Sequence, residues 1–203
     1  MTIYTAHSGR NEAFILGSMP EKEMTKSIHN ALLEALQRGM PEEASLLFIE
    51  HTAQRCSVMI AGEVSASYLV STSKYGLGNK ANSYCTPTGL HRIAERYGDK
   101  APLGAIFRSR IMTGQVIPES EWYGSSEDDL ILSRILRLSG TEPGINVGGE
   151  CDSYDRYIYL HGTNQEQLIG TPASNGCIRM RNSDIAELFD TLRAHDQVYF
   201  LIQ

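Results

Sequence analysis

His161-Gly162-Thr163, followed by Ser174-Asn175-Gly176-Cys177-Ile178-Arg179-Met180, puts an imidazole and a thiol in one short segment with a glycine beside each. A free thiol near neutral pH is only a few per cent thiolate, and a neighbouring imidazole that takes its proton turns it into a working nucleophile. Gly176, directly before Cys177, lets the backbone turn sharply so that amide N–H groups can face an incoming carbonyl. These are parts for acyl transfer. Taken singly they are weak, because an isolated cysteine is more often a small buried hydrophobe and an isolated histidine a satisfied polar group.

The wider pattern carries more. Tyr157-Ile158-Tyr159-Leu160-His161-Gly162-Thr163, a loop ending in Gly170-Thr171-Pro172-Ala173, then Ser174-Asn175-Gly176-Cys177-Ile178-Arg179-Met180 and Asn182 closely resembles the L,D-transpeptidase catalytic-domain (YkuD-type) family. Upstream, Val70-Ser71-Thr72-Ser73 and Thr86-Pro87-Thr88-Gly89 with His91-Arg92-Ile93 look like that family's early strands and Thr-Pro-x-Gly turn. The resemblance covers roughly residues 50 to 203. It implies an α+β, mainly β fold: a β-sandwich or barrel of the L,D-transpeptidase type, with an N-terminal helical extension and a helix after the cysteine motif.

It also implies roles. Cys177 is the nucleophile and His161 the proton acceptor, oriented by the backbone carbonyl of Gly162. Backbone N–H groups of Gly176 and Cys177, with Asn175, are the implied oxyanion donors, where one lost donor typically costs roughly 3 kcal/mol of transition-state stabilisation. The family usually has histidine where this chain has Asn175. An amide there can hydrogen-bond but cannot titrate, which bears on efficiency more than on mechanism. The guanidinium of Arg179 has the fork geometry of a carboxylate binder, and a surface ion pair is an equally good reading of it. Tyr159 shares a strand face with His161, and either lines the cleft or packs. Ser174 is read as bracing the loop beside the substrate.

The implied substrate is a peptidoglycan stem peptide, cut before its terminal D-alanine. The same cysteine is open to acylation by a carbapenem, whose strained carbonyl presents a like electrophile. The opening ten residues hold neither a basic start nor a continuous apolar core, and no apolar run is long enough to span a bilayer. The expected location is therefore cytoplasmic if Met1 is the natural start, and periplasmic if a leader has been trimmed. A cytoplasmic member meets recycled muropeptides and water, which favours an L,D-carboxypeptidase of murein recycling. The rivals are an L,D-transpeptidase that forms cross-links or exchanges D-amino acids, and a non-catalytic muropeptide-binding module.

Composition sets the outer limits. The 203 residues suffice for one well-buried domain with a small extension, read as residues 1–45 packed on a catalytic domain of residues 46–203. A net charge of −6 argues against a nucleic-acid partner, which calls for a basic excess. Cys56, Cys85, Cys151 and Cys177 are scattered without a Cys-x-x-Cys pair or a histidine at ligand spacing, so neither a metal nor another cofactor is expected.

Local pattern supplies the elements. Ser18 is a candidate cap for a helix starting near Pro20, in which Met24, Ile28, Ala31, Leu32, Ala35 and Leu36 recur at helical spacing until Gly39 and Pro41. Strands are expected over 46–50, 55–60, 64–71, 92–95, 105–113, 130–138, 156–161 and 198–202, with 61–63 as a hairpin turn. Residues 115–129, with Trp122 and Tyr123, read as an exposed loop. Asn182 or Ser183 is the expected cap of a helix running to about Leu192.

Overall fold

In a computed structural model, which describes residues 21–123 and 129–203, the chain opens with helix α1, Glu21–Gln37. Ser18 and Pro20 lie outside the described residues. The 3.6-residue apolar stripe is realised as expected: Ile28, Ala31 and Ala35 are buried, with Met24, Leu32 and Leu36 packed alongside. Gly39 ends the helix at φ +96°, the left-handed conformation that glycine adopts without a Cβ clash. The Met40 amide then donates to the Ala35 carbonyl at 3.0 Å.

Among the described residues ten strands follow in one branched, hydrogen-bonded network. They are β1 (Ser45–Glu50), β2 (Arg55–Ile60), β3 (Glu63–Leu69), β4 (Gly89–Tyr97), β5 (Ala105–Arg108), β6 (Ile111–Val116), β7 (Ile131–Gly140), β8 (Tyr159–Gly162), β9 (Ile178–Met180) and β10 (Val198–Ile202), with helix α2 (Asn182–Thr191) between the last two. The main path runs β3-β2-β1-β10-β4-β7-β5-β6, and β8 branches from β7 to carry β9. Of these strands, β1–β10 and β8–β9 pair in parallel. The fold is mainly β with a helix near each end.

The parallel pair β1–β10 explains two continuous apolar runs. Leu46 and Phe48 of β1 and Leu201 of β10 join the α1 residues in one core. Leu47, Ile49, Val198, Phe200 and Ile202 face the opposite core, built with Ile185, Leu188 and Phe189 of α2. A strand buried on both faces has no use for polar alternation.

Several local expectations need correcting. Residues 105–113 form a hairpin, not one strand. Ser109 and Arg110 take positive φ values of +48° and +69° at its turn, and β6 doubles back along β5. Trp122, expected on an exposed loop, is buried against Ile106 and Leu132, and residues 124–128 of that stretch lie outside the described residues. The strand expected over 156–161 is shorter, begins at Tyr159, and is buried throughout because β7 and β9 flank it.

The cap of α2 also differs. Asn182 is the first helical residue, and no side-chain cap comes from its own segment. The carboxylate of buried Glu166 accepts the Asn182 N–H at 2.7 Å, supplying negative charge at the helix start from a separate loop.

Candidate active site

Strand β8 delivers His161 and is tied to α2 at the same point. Asn182 Nδ2 donates to the Thr163 carbonyl at 2.8 Å and Asn182 Oδ1 accepts from Ser133 Oγ at 2.6 Å. A carbonyl can only accept, so the 2.7 Å contact between His161 Nδ1 and the Gly162 carbonyl requires the proton on Nδ1. Nε2 is left with its lone pair. The imidazole is therefore held in the tautomer of a base.

The cysteine loop is caged by the two upstream motifs. Segment 70–73 runs beside it: Ser71 exchanges backbone hydrogen bonds with Arg179 at 2.9 Å, and the Ser174 N–H donates to the Thr72 carbonyl at 3.0 Å. From the Thr-Pro-Thr-Gly turn, Thr86 Oγ1 donates to the Gly176 carbonyl at 3.0 Å and accepts the Ser73 N–H at 2.9 Å. Gly176 sits at φ +122°, which demands glycine through its backbone conformation, since a Cβ there would meet only ordinary contacts. Ser174 Oγ donates to the Cys177 carbonyl at 2.5 Å and accepts the Gly176 N–H at 3.2 Å. Ser174 thus ties two points of the loop together. Its contact corrects one expectation, since the Gly176 amide is already engaged and is not a free oxyanion donor.

The register puts His161 and Cys177 on one face. In the parallel β8–β9 register His161 lies opposite Arg179, so Tyr159 and Cys177, each two residues earlier, point the same way. Cys177 is half-buried and packs against the cluster formed by Ala105, Phe107, Ile135 and Tyr159. Its sulfur lies 3.6 Å from the Tyr157 carbonyl, the geometry of an S–H donor.

The electrostatics favour a neutral pair. Burial pushes the Cys177 thiol up to about 11, with the charge of Asp129 adding to it. The Tyr159 N–H on the sulfur and the cations Arg179 and Arg156 oppose the rise. Burial also lowers His161 below the usual imidazole range, assisted by Arg179 and opposed by Asp129 and the Gly162 carbonyl. Burial thus favours the uncharged form of both groups, a thiol and an imidazole on one face of the β8–β9 pair.

The remaining predicted residues divide. Arg179 is corrected: it is 2% exposed, its Nη2 ion-paired with Asp129 and its Nη1 bonded to Gln165 Oε1 at 2.9 Å, so neither the carboxylate-binding nor the surface reading fits it. Tyr159 is buried and packs, with its hydroxyl turned to Arg110. Asn175 is exposed at the loop tip. Sequence reasoning passed over Asp129, Thr86, Arg110 and Arg156. Arg156 donates to the carbonyls of Gly78 and Cys85 at 3.0 and 2.6 Å, clamping the segment beside Gly176. Thr86 belongs to the Thr-Pro-Thr-Gly motif, but nothing in one dimension shows that it grips the Gly176 carbonyl. Among the described residues no cluster of three His, Cys, Asp or Glu could hold a metal ion, and no helix is long and apolar enough to cross a membrane.

Comparison with known proteins adds the lineage. A putative L,D-transpeptidase, YqjB of Bacillus subtilis (strain 168), is 31% identical over 86 residues, covering 39% of this chain and 49% of that protein. The chain thus spans about half the length of this curated relative. Among solved structures, an L,D-transpeptidase from Mycobacterium smegmatis is 19% identical at a TM-score of 0.46, covering 78% of this chain and 58% of that one. L,D-transpeptidase 3 from Mycobacterium tuberculosis, in complex with a faropenem-derived adduct, is 15% identical at a TM-score of 0.47, covering 79% and 60%. Residues 44–200, more than three quarters of the chain, match the L,D-transpeptidase catalytic domain, YkuD. The chain belongs to the YkuD family of L,D-transpeptidase catalytic domains.

Proposed function

We propose that this chain is a cysteine-nucleophile enzyme acting on peptidoglycan stem peptides, with Cys177 and His161 as its catalytic pair. The observation that carries the reading is the locked His161 tautomer, which leaves Nε2 as a base on the face shared with Cys177. Cys177 Sγ attacks the carbonyl before the terminal D-alanine and His161 Nε2 takes the thiol proton. The tetrahedral intermediate expels the amine, which receives that proton from the imidazole, and an acyl thioester remains. Backbone N–H groups of the 175–177 loop face the oxyanion, with the Cys177 amide as the main donor because Ser174 holds that of Gly176.

The proposed acceptor is water, which makes the enzyme an L,D-carboxypeptidase trimming tetrapeptides to tripeptides, placed in the cytoplasm in murein recycling. Hydrolysis needs only the residues already named, whereas transfer needs a second docked peptide or D-amino acid. The same thiol is proposed to be acylated by carbapenems, whose strained carbonyl offers it a like electrophile.

The test is incubation of the purified protein with a disaccharide-tetrapeptide, with and without added D-amino acid, followed by mass spectrometry. Tripeptide as the main product is the expected result. Exchanged tetrapeptide or dimers would replace the hydrolytic reading with L,D-transpeptidation. Binding without turnover, identical in wild type and Cys177→Ala, would reduce the chain to a muropeptide-binding module.

A further inference from the structure

Arg110 occupies an unusual place. It stands at the turn of the β5–β6 hairpin at φ +69°, next to Ser109 at +48°. Side chains other than glycine adopt this conformation at a cost, and such outliers gather where a ligand is held. From this turn its Nη1 donates to the Tyr159 hydroxyl at 3.1 Å, and its guanidinium carbon lies 5.2 Å from the centre of the Tyr157 ring.

The same two tyrosines touch the thiol through their backbones: the Tyr157 carbonyl accepts from Cys177 Sγ, and the Tyr159 N–H bonds to the sulfur. The cation and the nucleophile therefore sit at opposite ends of one pair of residues. Tyr97 and Cys177 both pack against the buried cluster of Ala105, Phe107, Ile135 and Tyr159.

A second cation nearby has a different fate. Arg137 donates to Glu95 Oε2 at 2.8 Å and stacks 3.4 Å from the centre of the Tyr154 ring. The Glu95 carboxylate also accepts the hydroxyls of Tyr97 and Tyr154, at 2.8 and 3.1 Å. That carboxylate is fully engaged. None of the ion pairs among the described residues includes Arg110, which lies among Tyr159, Tyr97 and Tyr157 and shares the Tyr157 ring with Arg137. It is half-buried, with donors of its fork left over once Tyr159 is served.

A peptide cut before its last residue presents a free carboxylate one residue beyond the attacked carbonyl. A permanently charged planar fork, held by the same two tyrosines that touch the sulfur, matches that group in charge and geometry. Arg179 cannot serve, because its charge is buried and paired. We propose that Arg110 recognises the free C-terminal carboxylate of the peptide attacked by Cys177, and so sets the specificity for an unblocked end. The inference rests on the proposed function and adds the residue that selects the substrate.

The test compares a synthetic stem tetrapeptide ending in D-alanine with the same peptide as its C-terminal amide, on wild type, Arg110→Ala and Arg110→Lys. Wild type should favour the acid by ~10- to 100-fold in kcat/KM, the size of a charge-assisted contact. Arg110→Ala should erase that preference by slowing the acid alone, and Arg110→Lys should restore part of it. Equal losses on both peptides, or a preference that survives the substitution, would overturn the assignment. Calorimetric binding of the two peptides separates this outcome from failure of the proposed function. If wild type cuts neither peptide but binds the acid more tightly in an Arg110-dependent way, the chemistry fails and the docking role stands. Without that dependence both fail.

Discussion

Asn182 Nδ2 donates to the Thr163 carbonyl at 2.8 Å, while Asn182 Oδ1 fills the space that any side chain at Gly162 would need. The first residue of α2 thus holds the end of β8, and with it the carbonyl that fixes the His161 tautomer. Substituting Gly162→Ala would drive a methyl into Asn182 and to 2.8 Å from the Leu132 carbonyl. Overpacking of this kind costs about 1–3 kcal/mol. The expected result is a lower urea midpoint together with a loss of turnover larger than the loss of folded protein explains. Unchanged turnover in the folded fraction would detach the Asn182 contact from catalysis.

The neutral thiol–imidazole pair has a pH signature. His161 lies below its ordinary range and Cys177 near 11, so kcat/KM should rise with pH to a midpoint below 6.5 and then stay level through neutrality. Iodoacetamide labelling of Cys177, followed by peptide mapping to exclude Cys85 and Cys151, should accelerate up to well above pH 9. A labelling rate already maximal at pH 6 would mean a preformed thiolate–imidazolium pair instead.

Asp129 and Arg179 act on His161 with opposite signs. Asp129→Asn should move the acid midpoint of activity to lower pH, and Arg179→Met should move it higher. Asp129→Asn also leaves Arg179 buried without its counter-ion, at a cost of about 3 kcal/mol because Asp129 itself is partly exposed. Midpoints that shift the same way in both variants would point to distortion of the site and not to charge.

Away from the site, His91 is buried between the Gly89 carbonyl at 3.0 Å and Ser153 Oγ at 2.9 Å, and burial lowers it to about 4. Between pH 4 and 6.5 the unfolded chain therefore binds more protons than the folded one. Stability should climb with pH across that window and fall as acid is added, by at most about 3 kcal/mol from this group. Urea midpoints at pH 4.5 and 7 should differ less in His91→Gln than in wild type. An equal difference in the two proteins would place the acid sensitivity elsewhere, with buried His161 the next candidate.

Elements whose signal is local were legible in one dimension. The α1 stripe, the β2–β3 hairpin and the β1 and β10 runs follow from periodicity and turn residues, and the structure places them within a residue or two. The hairpin at Ser109 and Arg110 was not legible, because neither residue type advertises a left-handed turn. The cap of α2 misled for a related reason. Asn182 is a good capping residue in isolation, but its side chain is drawn inward to Ser133 and Thr163, and Glu166 caps the helix from outside.

The amino-acid sequence alone determined that an imidazole and a thiol flank a glycine-rich loop, and that the chain's motifs are those of one family. Those are matters of residue type and spacing, which survive without coordinates. Only the tertiary structure decided what surrounds them: that Arg179 is buried against Asp129, that Thr86 and Ser174 grip the cysteine loop, and that Arg110 arrives from a distant hairpin. Charge pairing and desolvation depend on which strands lie side by side, and β8 meets β9, β7 and the β5–β6 turn only once the sheet has formed.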